Sequence, residues 1–209
     1  MLTTDLAERT NLLAKFIRLA FKCYRQNNFQ TLAQVVHALQ SDEIASLDST
    51  WARLPRAELR KFDGMREFVS HTRNFKLLRE SAEALLADST ECLPFFGIFL
   101  RDLAVTAELP TFIDPSTGEA CSSTSAYGDP SAFAHLAPLS APQRPMIGLH
   151  KLRLTAHTLE RVAKFQTLSQ AYTFEPTNAV YLQVLKLRSL DAPAIRERAA
   201  TLALPSTLD

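Results

Sequence analysis

Histidines, cysteines, carboxylates and glycine-rich turns are where a chain of 209 residues would carry metal, proton-transfer or phosphate chemistry, and their spacing decides the matter. His37, His71, His135, His150 and His157 include one pair seven residues apart. None of them brackets a glutamate at the four-residue spacing that puts two imidazoles and a general base on one helical face, so no metal site is spelled out. Cys23, Cys92 and Cys121 are odd in number and stand in no CxxC or CxxH spacing, which supports neither a disulfide framework nor zinc and suits a reducing compartment. The 5 glycines are scattered, and there is no GxSxG elbow, phosphate loop or dinucleotide fingerprint. The residues therefore point to a protein without covalent catalysis, cofactor or nucleotide of its own.

One helix carries a more specific signal. At about 100° per residue, Phe96, Phe99, Leu100, Leu103 and Ala107 gather about one direction and form the predicted buried stripe. Gly97, Arg101, Ala104 and Glu108 form a second stripe of small or polar residues, roughly a quarter to a third of a turn away. By itself such a stripe reads as an ordinary solvated face.

The elements that must position this helix are helical too. Leucine and alanine are abundant, 46% of residues are apolar, and an all-β fold is excluded. The spacing predicts a helix from Leu6 ending near Gln26-Asn27-Asn28, opened by Asp5 and Glu8 in capping-box spacing, then helices over about 29–40, 56–70 and 74–87. Pro94 occupies the first turn of the next, which runs to about Glu108. A helix of about five turns from Gly148, another over 177–190 and a last short one from Asp191 follow. Residues 110–145 hold 6 of the 11 prolines and only 4 charges, so they read as a long irregular loop. The expectation is a single all-α domain over 1–209, a helical array with that loop at 110–146 between two hairpin arms.

Charge excludes other classes. Lys plus Arg number 23 against 22 Asp plus Glu, a formal charge of +1, which argues against nucleic acid and anionic lipid as partners. The longest apolar run, Phe95 to Leu100, is far too short to span a bilayer, so a soluble, cytoplasmic chain without membrane insertion is expected.

Several runs resemble one family. Cys92-Leu93-Pro94-Phe95-Phe96-Gly97-Ile98-Phe99-Leu100-Arg101-Asp102-Leu103, preceded by Asn74-Phe75-Lys76-Leu77-Leu78-Arg79, is similar to the PC(I/V)PFxGxYLxDL and NFxxYR signatures of Ras-type guanine-nucleotide exchange factors. Upstream, Cys23, Asn27-Asn28-Phe29, Leu32, Val35-Val36, Ala38-Leu39, Ser41, Ile44, Leu47 and Thr50-Trp51 resemble the family run CxxLNNFNxLxAIxxALxSxxIxRLxxTW. Downstream, Lys151, Arg153, Ala156, Val162 and Phe165-Gln166 resemble LINFxKRRxxAxIIxxIxxFQ, and order and spacing agree from residue 6 to about 190.

The resemblance implies an exchange factor that promotes GDP release from a Ras-superfamily GTPase by wedging a protruding helical hairpin near the first switch segment. The arms would start near Pro94 and Gly148. By the same resemblance, Glu108 matches a carboxylate acting in the emptied phosphate-loop region, Ala104 the small residue facing the Mg²⁺ site, and Arg101 shares their stripe. Ala33, Gln40, Asn74, Phe75 and Arg79 match the docking surface for the second switch. Lys151 and Arg153 are expected to be solvated or to brace the hairpin. Membrane recruitment would come through the GTPase.

This chain also departs from the pattern. Leu109-Pro110 stands where the family has glycine-asparagine, and the resemblance covers the later two thirds of the family module, so a fragment is expected. A catalytically inactive GTPase-binding or helical scaffold is the alternative reading.

Overall fold

The computed structural model describes residues 3–113, 120, 146–175, 177–186 and 191–203. Among the described residues the fold is all-α apart from one ribbon of two-residue strands. The helices are α1 (Leu6–Arg25), α2 (Phe29–Leu39), α3 (Asp42–Ala45), α4 (Asp48–Ala52), α5 (Arg56–Phe68), α6 (Lys76–Ala87), α7 (Gly97–Ala107), α8 (Leu149–Ser169), α9 (Asn178–Leu185) and α10 (Ala192–Ala203). Strand β1 (Phe112–Ile113) pairs antiparallel with β2 (Met146–Ile147), Phe112 opposite Ile147. The expected loop at 110–146 falls largely outside the described residues, as do Leu187 and the tail beyond Ala203.

The chain forms two compact units. The first comprises residues 1–95 with 165–209, the second residues 96–164.

In the first unit α1, α2 and α5 pack on one another, burying Leu13, Ile17 and Ala20 against Leu32, Val36, Phe62 and Met65. Asp5 caps α1 by accepting from the Ala7 and Glu8 amides at 3.3 and 3.0 Å, while the Glu8 carboxylate accepts from the Thr3 hydroxyl at 2.6 Å. At the break after α1, Asn27 takes φ 55° and the Asn28 side chain caps α2 by accepting from the Thr31 amide at 2.9 Å. That turn is tied to the segment before α7, because Phe29 donates to the Leu93 carbonyl at 2.8 Å and Leu93 donates to Asn27 at 3.0 Å. Arg9 is buried and donates to the Thr50 hydroxyl at 2.8 Å, locking α1 to α4. Without those partners an interior guanidinium would be strongly destabilising.

In the second unit α7 and α8 run antiparallel: Lys151, near the start of α8, reaches the end of α7 at Ala107, and Arg161 lies 5.4 Å over the Phe99 ring. The ribbon closes the hairpin. Its tightest point is Gly148, whose amide donates to the Thr111 carbonyl at 2.8 Å and where a Cβ would sit 2.6 Å from the Pro110 carbonyl oxygen. Glycine is required here by close approach rather than by backbone angle.

The predicted buried stripe of α7 is corrected. Phe96 is 44% exposed and Leu100 55%, whereas Ile98, Phe99 and Thr106 are buried. Burial follows a line about a quarter turn from the hydrophobic direction of the wheel. A wheel reports where apolar side chains point and not which side meets a neighbour, and Thr106 can be buried because its hydroxyl donates to the Asp102 carbonyl at 2.7 Å. On α8, Leu149, Leu152 and Leu159 are at least half exposed, whereas Phe165 is buried.

Candidate functional site

Two sets of side chains stand where the sequence placed chemistry, one on each unit. On the hairpin, Arg101, Ala104 and Glu108 are all exposed. They lie along one line of α7, nearly opposite the buried line through Ile98, Phe99 and Thr106. Exposed Leu100 and Val105 flank them and add apolar surface.

Glu108 is the C-cap of α7. A carboxylate there faces the negative end of the helix dipole, an unfavourable place that needs compensation nearby. The structure supplies it. The Lys151 ammonium donates to the Ala107 carbonyl at 2.9 Å, to the Leu109 carbonyl at 2.9 Å and to the Thr111 hydroxyl at 3.0 Å.

On the first unit, Asn74, Phe75 and Arg79 come together at the start of α6. Arg73, Asn74 and Phe75 take φ of 50°, 58° and 58°, three successive non-glycine residues in the left-handed region. Such a turn is costly and persists only when its surroundings over-determine it. Two features do so here. The Arg79 guanidinium donates to the Asn74 carbonyl at 2.9 Å. Phe75, 5% exposed, is held in a four-ring cluster: His71 lies 4.7 Å from it, Phe95 5.8 Å, and His37 closes the set by lying 5.7 Å from His71 and 5.8 Å from Phe95.

Gln40, the C-cap of α2, lines an open groove of about 860 Å³ beside this turn, together with His37, Arg66, His71 and Lys76. Ala33 has no exposed surface; it packs inside α2's buried face. Asn74 and Gln40 are thus exposed polar groups and Arg79 is half-buried, while Phe75 and Ala33 are buried.

The histidine pair escaped the sequence reading, because residues 34 apart that meet only through the fold leave no local spacing signal. Burial, then the neighbouring His71, pushes the His37 imidazole below its usual value, against a hydrogen bond with the Val69 backbone that raises it. The triple engagement of Lys151 is likewise invisible locally, although its position three residues after the closure glycine is the trace it leaves. Among the described residues no three His, Cys, Asp or Glu side chains gather as a metal site would require.

Comparison with known proteins bears on the family of the chain. Residues 1–126 match the model of the RasGEF domain. Ras guanine nucleotide exchange factor M of Dictyostelium discoideum is 33% identical over 96 residues, 46% of this chain and 10% of that protein. The Ras-specific guanine nucleotide-releasing factor RalGPS2 of Homo sapiens is 38% identical over 113 residues, 53% of this chain and 18% of that protein. Ras guanine nucleotide exchange factor Y of Dictyostelium discoideum is 25% identical over 190 residues, 91% of this chain and 10% of that protein.

The chain spans 10–18% of the length of these three relatives. The domain match is N-terminal in this chain and stops short of α8, so it does not support the expected placement on the later two thirds of the family module. It does take in α1 to α7, with the signature run before Leu103 and every candidate residue on both surfaces. With more than half of its length inside that match, the chain belongs to the RasGEF domain family.

Proposed function

We propose that this chain promotes GDP release from a small GTPase of the Ras superfamily, as a regulatory exchange factor that performs no covalent chemistry. The observation that carries the proposal is the exposed line Arg101, Ala104 and Glu108 on the hairpin helix of a chain that belongs to the RasGEF domain family. The hairpin would enter near the first switch segment, with Ala104 facing the Mg²⁺ site and Glu108 offering its carboxylate to donors of the phosphate loop once the phosphates leave. Arg101 would contact the partner from the same line. Asn74, Gln40 and Arg79 would receive the second switch, supported from below by Phe75 and Ala33.

The thermodynamics need no nucleophile. A protein that binds the nucleotide-free GTPase more tightly than the loaded one weakens nucleotide binding by the same factor, because coupling between two sites is reciprocal. Bulk GTP then sets the direction of exchange. The near-neutral charge suits a protein partner rather than nucleic acid. Any approach to membranes would come through the GTPase, and no helix among the described residues is long and apolar enough to cross a bilayer.

The test is binding of the purified chain to immobilised Ras-, Rap- and Ral-type GTPases, each emptied with EDTA or loaded with GDP. The proposal expects at least one to bind tightly when empty and to be released on adding GDP. Equal binding to both forms would instead mark a scaffold that engages the GTPase without coupling to its nucleotide.

A further inference from the structure

A lysine ammonium has three donors, and Lys151 spends all three on one short segment: the carbonyls of Ala107 and Leu109 and the hydroxyl of Thr111. Glu108 lies between the first two acceptors. We infer that Lys151 is a positioning residue for exchange, holding the end of α7 so that the Glu108 carboxylate is presented in one fixed place; the inference rests on the exchange reading above.

The need for such a residue follows from what the chain lacks after Glu108. The last carbonyls of a helix have no partner within it, and the common remedy is a glycine just past the end that turns left-handed and folds its own amides back. Here Leu109 follows, which is not among the residues with positive φ, and then Pro110, which has no amide hydrogen. The Leu109 amide turns back only as far as the Thr106 carbonyl, at 3.1 Å. A side chain from the opposite arm satisfies what the local backbone cannot. It also puts a positive charge at the negative end of α7, where Glu108 alone would be disfavoured.

Gly148 completes the arrangement, since its amide donates to Thr111 and the Pro110 carbonyl fills the space a side chain would take. Both arms are thereby pinned within five residues of Glu108. Arginine would not substitute cleanly, because its planar fork does not match three acceptors disposed around a point charge.

The experiment is a double-mutant cycle on release of a fluorescent GDP analogue, comparing the unaltered chain, Lys151→Met, Glu108→Ala and the double variant. The GTPase is the member of a Ras-, Rap- and Ral-type panel that responds to the unaltered chain. Lys151→Met is expected to lower the saturating rate about tenfold, with the half-saturating GTPase concentration within about twofold. In the Glu108→Ala background the same change should add almost nothing, because a residue that acts through another has no effect once the other is gone. Hydrogen exchange at the Leu109 amide should quicken in Lys151→Met while the circular-dichroism melt keeps its cooperative shape, which separates mispositioning from unfolding. Additive losses in the cycle, or unchanged release by Lys151→Met beside an impaired Glu108→Ala, would overturn the role of Lys151 alone. No release by the unaltered chain from any GTPase of the panel would overturn the exchange reading, and this role with it.

Discussion

Phe96 and Phe99 are both apolar, three residues apart on one helix, and face different surroundings. Phe99 is 2% exposed, whereas Phe96 is 44% exposed. Truncating Phe99 to alanine should cost about 3–5 kcal/mol of stability, and the same change at Phe96 about 1 kcal/mol or less. Denaturant midpoints of the two variants check this, and equal losses would place both rings in the core. The candidate contact residues were legible in part for the same reason. Residue type showed that Arg101, Ala104 and Glu108 form a stripe, and all three are exposed. Residue type could not show that Phe96 and Leu100 are exposed, because a wheel reports where the apolar atoms point and not where a neighbouring helix stands. His37, His71 and Lys151 were hidden because their roles depend on partners 34 to 44 residues away in the chain.

Elements of ten or more residues were read closely, because three- and four-residue periodicity over several turns leaves few alternatives. Thus α1, α2, α5 and α6 begin and end within about two residues of their expected bounds. The short pieces were missed. Helices α3 and α4 of 4 and 5 residues, and a ribbon of two-residue strands, are too brief for any period to register. The two-residue delay at the start of α6 has a local cause, since no residue-level preference announces three left-handed residues in succession at Arg73 to Phe75.

Two outcomes belong to this scale. Replacing Gly148 with alanine should open the hairpin's closure, because the Cβ meets backbone at 2.6 Å and backbone cannot move aside cheaply. Faster hydrogen exchange across Thr111–Ile113 and reduced nucleotide release are expected, and an unaltered exchange pattern would show that the ribbon tolerates the shift. The second concerns the groove between α2, α5 and α6, where Arg66, Glu67, Lys76 and His71 surround His37. A histidine whose folded pKa lies below its unfolded value near 6.5 favours folding in its neutral form. The stability it contributes is complete above about pH 6.5 and declines as the pH falls through the unfolded and then the folded value. Melting temperature should therefore drop from pH 7 toward about pH 5, and by less in His37→Gln, which does not titrate. Identical pH profiles would assign the drop to other groups.

At the scale of the whole molecule, the helical composition and the ordered signature runs carried the fold class and the family. What remained illegible was how the chain divides. The change of compact unit between Phe95 and Phe96 falls inside the signature run itself, and α8 crosses the second boundary without interruption. Neither point is marked by a linker or a run of one charge, features by which composition reveals a boundary. The proposed division of labour follows this arrangement, with one unit to receive the GTPase and the other to carry the carboxylate that displaces its nucleotide.

The most direct measurement of that proposal is stopped-flow release of a fluorescent GDP analogue from Ras-, Rap- and Ral-type GTPases, with the unaltered chain and with Glu108→Ala. Acceleration of one GTPase that rises to saturation with the chain is predicted, together with a markedly slower rate for Glu108→Ala at an unchanged melting temperature. Release from every GTPase at its intrinsic rate, with the chain folded and in excess, would contradict it.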